Sequence, residues 1–276
     1  MRELFFKLFE MSHFDTGITV TAFSVSHLVY MALIFGTVIG LYFLMRNKPY
    51  EKKVALLNLL VAVLMVSYFS DFFVHDFVYN VNDEGVYVGG GLNIDKLPFH
   101  ICTVLCPISA LVQFNKKLNR FIEPVAVLAV LAPMMYICYP ASIGDGEPWC
   151  YQAVQTMFYH GTLMAWGILN LALGVVKPDI RKSYKAAILL VGITLWAKLG
   201  NLILEHNWFF LEEDAFYIGL VENGVIPKWL LMVINPTVFF LAVLGVYGVY
   251  YGVLKIKAKK IEKTEAPAEE KEEVTV

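Results

Sequence analysis

Residues 54–77 read VALLNLLVAVLMVSYFSDFFVHDF. At ~1.5 Å per helical residue this run reaches about 36 Å, enough to cross a hydrocarbon core ~30 Å thick. Up to Val66 only Asn58 interrupts the apolar side chains. Beyond it the character changes: Ser67, Asp71 and His75 fall at i, i+4 and i+8, one stripe of a helix, with Asp76 beside them. A helix that is apolar at one end and ionisable along one face at the other calls for lipid around it and for partners at its polar end.

Six further runs have the same apolar character, at residues 24–45, 97–114, 122–139, 151–174, 185–204 and 229–254. The composition agrees: 58% of the 276 residues are apolar and 17% charged, the formal charge is −2, and the mean hydropathy is +0.60. Such a chain belongs in a bilayer and offers no basic surface for nucleic acid. The predicted fold is therefore all-α, a polytopic membrane bundle of seven transmembrane helices over residues 21–254, with membrane lipids as its immediate partners.

Orientation follows from Lys and Arg, which cytoplasmic loops retain. Arg46, Lys48, Lys52 and Lys53 follow the first run, Lys116, Lys117 and Arg120 the third, and Lys177, Arg181, Lys182 and Lys185 the fifth. Six lysines follow the seventh. The segments 80–95, 140–149 and 205–224 are nearly free of them. The N-terminus is thus predicted outside and the C-terminus in the cytoplasm. Residues 1–20, with Leu4, Phe5, Leu8 and Phe9 at helical spacing, read as an extracytoplasmic interfacial helix. Residues 255–276 read as a disordered charged tail.

With this topology the polar residues of five runs share the outer half: His27; Asp71 and His75; His100, Cys102, Thr103 and Cys106; Gln152, Thr156 and His160; Lys198, Asn201, Glu205 and His206. The inner halves of the same runs are almost purely apolar. The stripes predict a cavity that opens outward. Asp71 and His75 have the spacing by which a carboxylate orients an imidazole. Lys198 and Glu205 can simply neutralise each other, and Cys102 and Cys106 can simply be small core residues. Cys138 and Cys150 bracket one short outer loop, which makes a disulfide feasible in an oxidising compartment. No cofactor is indicated, and no metal-ligand spacing such as CxxC occurs.

The stretch Leu97-Pro98-Phe99-His100-Ile101-Cys102, with Ser26-His27-Leu28, Phe158-Tyr159-His160-Gly161 and Asn201, resembles the YwaF-like family of bacterial seven-helix integral membrane proteins. That family's third helix opens on a Leu-Pro-Leu-His-Leu-Cys type of motif; Phe99 and the second cysteine, Cys106, are departures from it. The resemblance implies a multi-pass protein of a bacterial plasma membrane. It also implies a distant similarity to eukaryotic multi-pass proteins that act on lipid acyl chains, as acyltransferases using a cysteine or hydrolases using threonine with histidine.

On that implication the catalytic set is Cys102 or Thr103 as nucleophile, His160 or His100 as base, and Asp71 or Asn201 to orient the base. His27, His75, Gln152, Lys198, Asn201 and Glu205 are the candidate binding groups. A proton-coupled carrier using the same residues is the alternative, ranked second because alternating access favours polar groups on both sides of the midplane and the inner halves read as apolar. His75, His100, Asp71 and His160 suit a metal-dependent hydrolase, and all of them suit a structural bundle whose stripes are interhelical hydrogen bonds.

Overall fold

The computed structural model describes residues 20–79, 96–139, 147–211, 221 and 223–269. These residues hold seven α-helices, and each apolar run overlaps one of them. They are α1 Val25–Met45, α2 Tyr50–Tyr79, α3 Ile101–Phe114, α4 Ile122–Cys138, α5 Tyr151–Ala172, α6 Tyr184–Leu204 and α7 Leu231–Glu269. The predicted interfacial helix lies outside the described residues.

Local chemistry sets several of the helix ends. The Ser24 hydroxyl accepts the His27 N–H at 3.3 Å and caps α1. Pro49 precedes α2, where its fixed φ suits a helix start. Gly174, at φ 70°, turns the chain after α5, and Val176 N–H returns to Asn170 O at 3.0 Å.

Five stretches are long and apolar enough to cross a membrane: Val25–Met45, Tyr50–Phe72, Asn119–Cys138, Ile180–Leu204 and Leu231–Ile256. The other two helices are α3 and α5. α3 starts at Ile101, four residues later than the apolar run, because residues 97–100 around Pro98 form a turn. Its 14 residues reach about 21 Å. α5 has 22 residues, but Gln152, Gln155, Thr156 and His160 dilute its hydropathy.

α4 and α5 lie at the centre. Gly167 of α5 lets the backbones meet: a Cβ there would stand 2.7 Å from Ala126 O and 3.0 Å from Ala129 C. Around them pack α2 on α5, α3 on α4 and α2, α1 on α5, and α6 on α7. Trp166, Leu163 and Met164 of α5 are fully buried. Leu33, Phe43 and Leu44 of α1 and Leu195, Leu202 and Ile203 of α6 stand outward, more than half exposed. Faces this apolar are untenable in water and suit hydrocarbon.

One expectation needs correction. The half of the bundle remote from His100 is not dry. Gln113 Nε2 donates to Asn58 Oδ1 at 2.7 Å, and Trp166 Nε1 donates to Gln113 Oε1 at 3.0 Å, a run through α2, α3 and α5. Buried Glu123 accepts Asp179 N–H at 2.7 Å and the Tyr247 hydroxyl at 3.2 Å, joining α4 to α7. Averaged hydropathy hid these groups, and mutual hydrogen bonding is what lets them sit there. Nearby Asp179, hydrogen-bonded by Lys182 and by the Arg181 N–H, has its carboxyl held below the ordinary range. At the other end of the chain α7 runs on as a helix to Glu269. Its Ala, Glu and Lys are strong helix formers.

Candidate functional site

The end of the bundle that holds His160 carries the ionisable side chains singled out by the sequence. On α5, His160 Nδ1 meets Thr156 O at 2.8 Å. A carbonyl only accepts, so Nδ1 carries the proton and Nε2 is the basic nitrogen of the neutral ring. The ring stacks on Tyr136 of α4, centroids 4.0 Å apart and planes 12° apart, and meets Tyr159 edge-on at 5.0 Å. Lys96 and His100 both lie within electrostatic range of it.

α3 presents Cys102 and Cys106 on the face toward Tyr159. The Tyr159 hydroxyl donates to Cys102 O at 2.7 Å and also touches the Cys106 thiol, which donates to Met65 Sδ at 3.6 Å. Thr103 is committed locally: its hydroxyl donates to His100 O at 2.9 Å and lies 3.2 Å from Leu97 O. It locks the turn that opens α3 and has no proton to spare for nucleophilic work.

Asp71 is the buried end of an ion pair; its expected pairing with His75 falls on a side chain outside the described residues. Its partner is Lys96, Nζ to Oδ2 2.6 Å, and Tyr68 anchors the same lysine by donating to Lys96 O at 3.0 Å. Tyr68 and Tyr159 face each other at 6.1 Å between this ion pair and the thiols. Sequence reasoning missed Lys96, Tyr68, Tyr136 and Tyr159. The available signals were a lone lysine in a segment otherwise poor in them, and a tyrosine adjoining His160.

Other predicted residues hold the frame. His27 is fully buried, with Nδ1 accepting Phe23 N–H at 2.8 Å and Nε2 donating to Ile137 O at 2.7 Å. The ring pins the start of α1 to the end of α4. Tyr30 adds a hydroxyl bond to Pro148 O. Asn201 grips Trp208, and Phe209 N–H then reaches His100 Nδ1 at 3.4 Å.

Glu205 is exposed and ends α6 at φ 50°, while Lys198 is half-buried. Gln152 is half-exposed, and the tie from α5 to α2 comes from Gln155, which donates to Ser67 O at 3.3 Å. Cys138 and Cys150 are free thiols, as are Cys102 and Cys106. Among the described residues no three His, Cys, Asp or Glu side chains converge as a ligand set.

The described contacts pair Asp71 with Lys96, put Lys96 and His100 within electrostatic range of His160, join Cys102 and Cys106 to Tyr159, and leave His27, Asn201 and Glu205 in structural positions. A groove of about 460 Å³ runs beside the cluster between α2 and α5, lined by neither Asp71, His100, Cys102 nor His160. Neither a curated protein nor a solved structure matches the chain. Residues 22–247, from the cap of α1 to the middle of α7, match the model of the TMEM164 family, and the chain belongs to that family of multi-pass membrane proteins.

Proposed function

We propose that this protein is a lipid-acting acyltransferase or hydrolase whose site is the His160–Cys102 end of the bundle. In this reading all seven helices cross a bacterial plasma membrane, as in the YwaF-like proteins the chain resembles. The N-terminus lies outside, and the site falls in the outer leaflet. The distribution of Lys and Arg supports the orientation.

The observation that carries the reaction is the His160 tautomer. Nδ1–H is spent on Thr156 O, so Nε2 is free to act as base in the cluster that holds two thiols. Cys102 is the preferred nucleophile, since the Thr103 hydroxyl is engaged. Its thiol proton passes to His160 Nε2 as sulfur attacks an ester carbonyl. The lipid alkoxide leaves with that proton, and a thioester remains. A second lipid hydroxyl, or water, then attacks the thioester, gives its proton to His160 and restores the thiol.

The test is acyl exchange by the purified chain in vesicles of a labelled phospholipid and a lysophospholipid. Wild type is expected to exchange, and His160→Gln and Cys102→Ser to lose about 100-fold or more. An acyl distribution that stays unchanged with wild-type protein overturns the reading.

A carrier is the second reading, favoured by the Asn58–Gln113–Trp166 run, which continues polar groups into the opposite half. Saturable uptake into vesicles, lost in Gln113→Leu, would establish it instead.

A further inference from the structure

At the end of the bundle remote from His160, the Phe121 ring carries two cations. The Arg120 guanidinium carbon lies 5.0 Å from the ring centroid and Lys185 Nζ 6.0 Å, one reaching from the turn before α4 and the other from the first turn of α6. The ring attracts each of them. Two like charges drawn to one ring also repel each other, and no carboxylate relieves them. The ion pairs among the described residues are Asp71 with Lys96 and Asp179 with Lys182. Buried Glu123, two residues beyond Phe121, is already engaged by the Asp179 N–H and the Tyr247 hydroxyl.

The surroundings add to the imbalance. Residues 115–123 and 177–185 together hold seven lysines and arginines against two carboxylates. α6 opens here with no acidic residue in its first turn and no side-chain cap from Ser183, so the positive end of its dipole adds to the cations. The connection from α5 to α6 is also held in place: Asp179 N–H bonds Glu123 at 2.7 Å, and the Tyr251 hydroxyl donates to Pro178 O at 3.1 Å. A positive patch that is fixed in place and not neutralised within the chain attracts an anion from outside it.

The neighbouring surface selects the kind of anion. Tyr184, Ile188, Val191 and Leu195 form one stripe of α6, each more than half exposed, and the stripe begins beside Lys185. Ile180, in the turn before α6, is exposed as well. Charge and apolar surface therefore meet at one level, as headgroup and chains meet in a phospholipid. A small soluble anion would use only the first of these.

We propose that Arg120 and Lys185, held together on Phe121, bind the phosphate of an anionic phospholipid in the leaflet remote from His160, with its chains along the Tyr184–Leu195 stripe. The charge of the headgroup, which the cations recognise, decides the occupant. This site is separate from the acyl-transfer reading and does not rest on it.

The test is native mass spectrometry of the purified full chain in detergent with equal amounts of phosphatidylglycerol and phosphatidylethanolamine. Wild type is expected to retain phosphatidylglycerol several-fold over phosphatidylethanolamine. Arg120→Gln with Lys185→Gln should lower phosphatidylglycerol retention about fivefold for each cation removed and leave phosphatidylethanolamine unchanged. Arg120→Lys with Lys185→Arg, which exchanges the two cations, should keep the preference.

Lys48→Gln with Lys52→Gln removes the same charge at the corner between α1 and α2 and should also keep it. An equal loss there means diffuse charge only and overturns the site. Equal retention of both lipids by wild-type protein overturns it without any variant. Displacement of phosphatidylglycerol by an equal concentration of inorganic phosphate overturns it too, since the patch would then take a free anion. His160→Gln should bind phosphatidylglycerol as wild type does, so a failure of the reaction and a failure of this site are read separately.

Discussion

Asn201 holds Trp208 by both ends of its amide, Oδ1 accepting Trp208 N–H at 2.7 Å and Nδ2 donating to Trp208 O at 3.2 Å. The side chain does what a neighbouring strand would do, and it fixes the turn that presents Phe209 N–H to His100. Asn201→Leu leaves both backbone groups buried without partners, which costs about 2 kcal/mol. The unfolding temperature in detergent, followed by tryptophan fluorescence, should fall by roughly 4–8 °C. Asn201→Asp, which keeps the acceptor and loses the donor, should fall between the two; a fall no larger than that of an exposed α6 substitution would refute the clamp.

Glu205 stands at φ 50° and is exposed, a left-handed position that suits glycine. Glu205→Gly should stabilise the protein by about 1 kcal/mol. It should also leave any lipid activity intact, since the carboxylate touches none of the clustered groups described above. Denaturant titration and the acyl-exchange assay read the two halves of this expectation separately.

Asp71 and Lys96 depend on each other. Asp71→Asn strands a cation, and the expected loss is about 2 kcal/mol, below the ~3–5 kcal/mol of a fully buried pair because the Lys96 side chain is 21% exposed. Replacing both, as in Asp71→Leu with Lys96→Met, should recover most of that loss. A double variant as unstable as the single one would mean that the pair contributes by packing and not by charge.

Gly167→Ala forces a methyl against Ala126 O at 2.7 Å, and neither backbone can yield cheaply. A destabilisation of about 1–3 kcal/mol is expected. Gly192→Ala in α6, where a Cβ meets nothing within 4 Å, is the control and should be neutral or slightly stabilising.

Gln113→Leu removes two hydrogen bonds, from the Asn58–Gln113–Trp166 run, each worth ~0.6 kcal/mol between membrane helices. A loss near 1 kcal/mol is expected, with a shift in Trp166 fluorescence as its indole N–H is released. Restoration by Asn58→Leu in the same chain would show that the run is a closed set.

Helix positions were legible because apolar runs of about 20 residues are hard to mistake. That Asp71, His100 and His160 need partners was legible for a related reason: ionisable groups are costly inside such runs. The partners themselves were not. Lys96 lies outside the runs, so no periodicity points to it. The tyrosines were counted as apolar. Asn201 and His27 looked like ligands because residue type carries no sign of whether a side chain meets a solute or its own backbone. Asn58 and Gln113 vanished in the average over their helices.

Phe99 lies flat between Trp196, 5.0 Å away, and Trp208, 4.6 Å away, over the bare Cα of Gly200, where a Cβ would stand 2.5 Å from its ring. The slot therefore has a fixed total volume shared by two positions. A chain with a smaller aliphatic residue at 99 has room for a methyl at 200, whereas grafting either residue alone into a relative would crowd the seam or hollow it. Residues 99 and 200 are best exchanged as a pair.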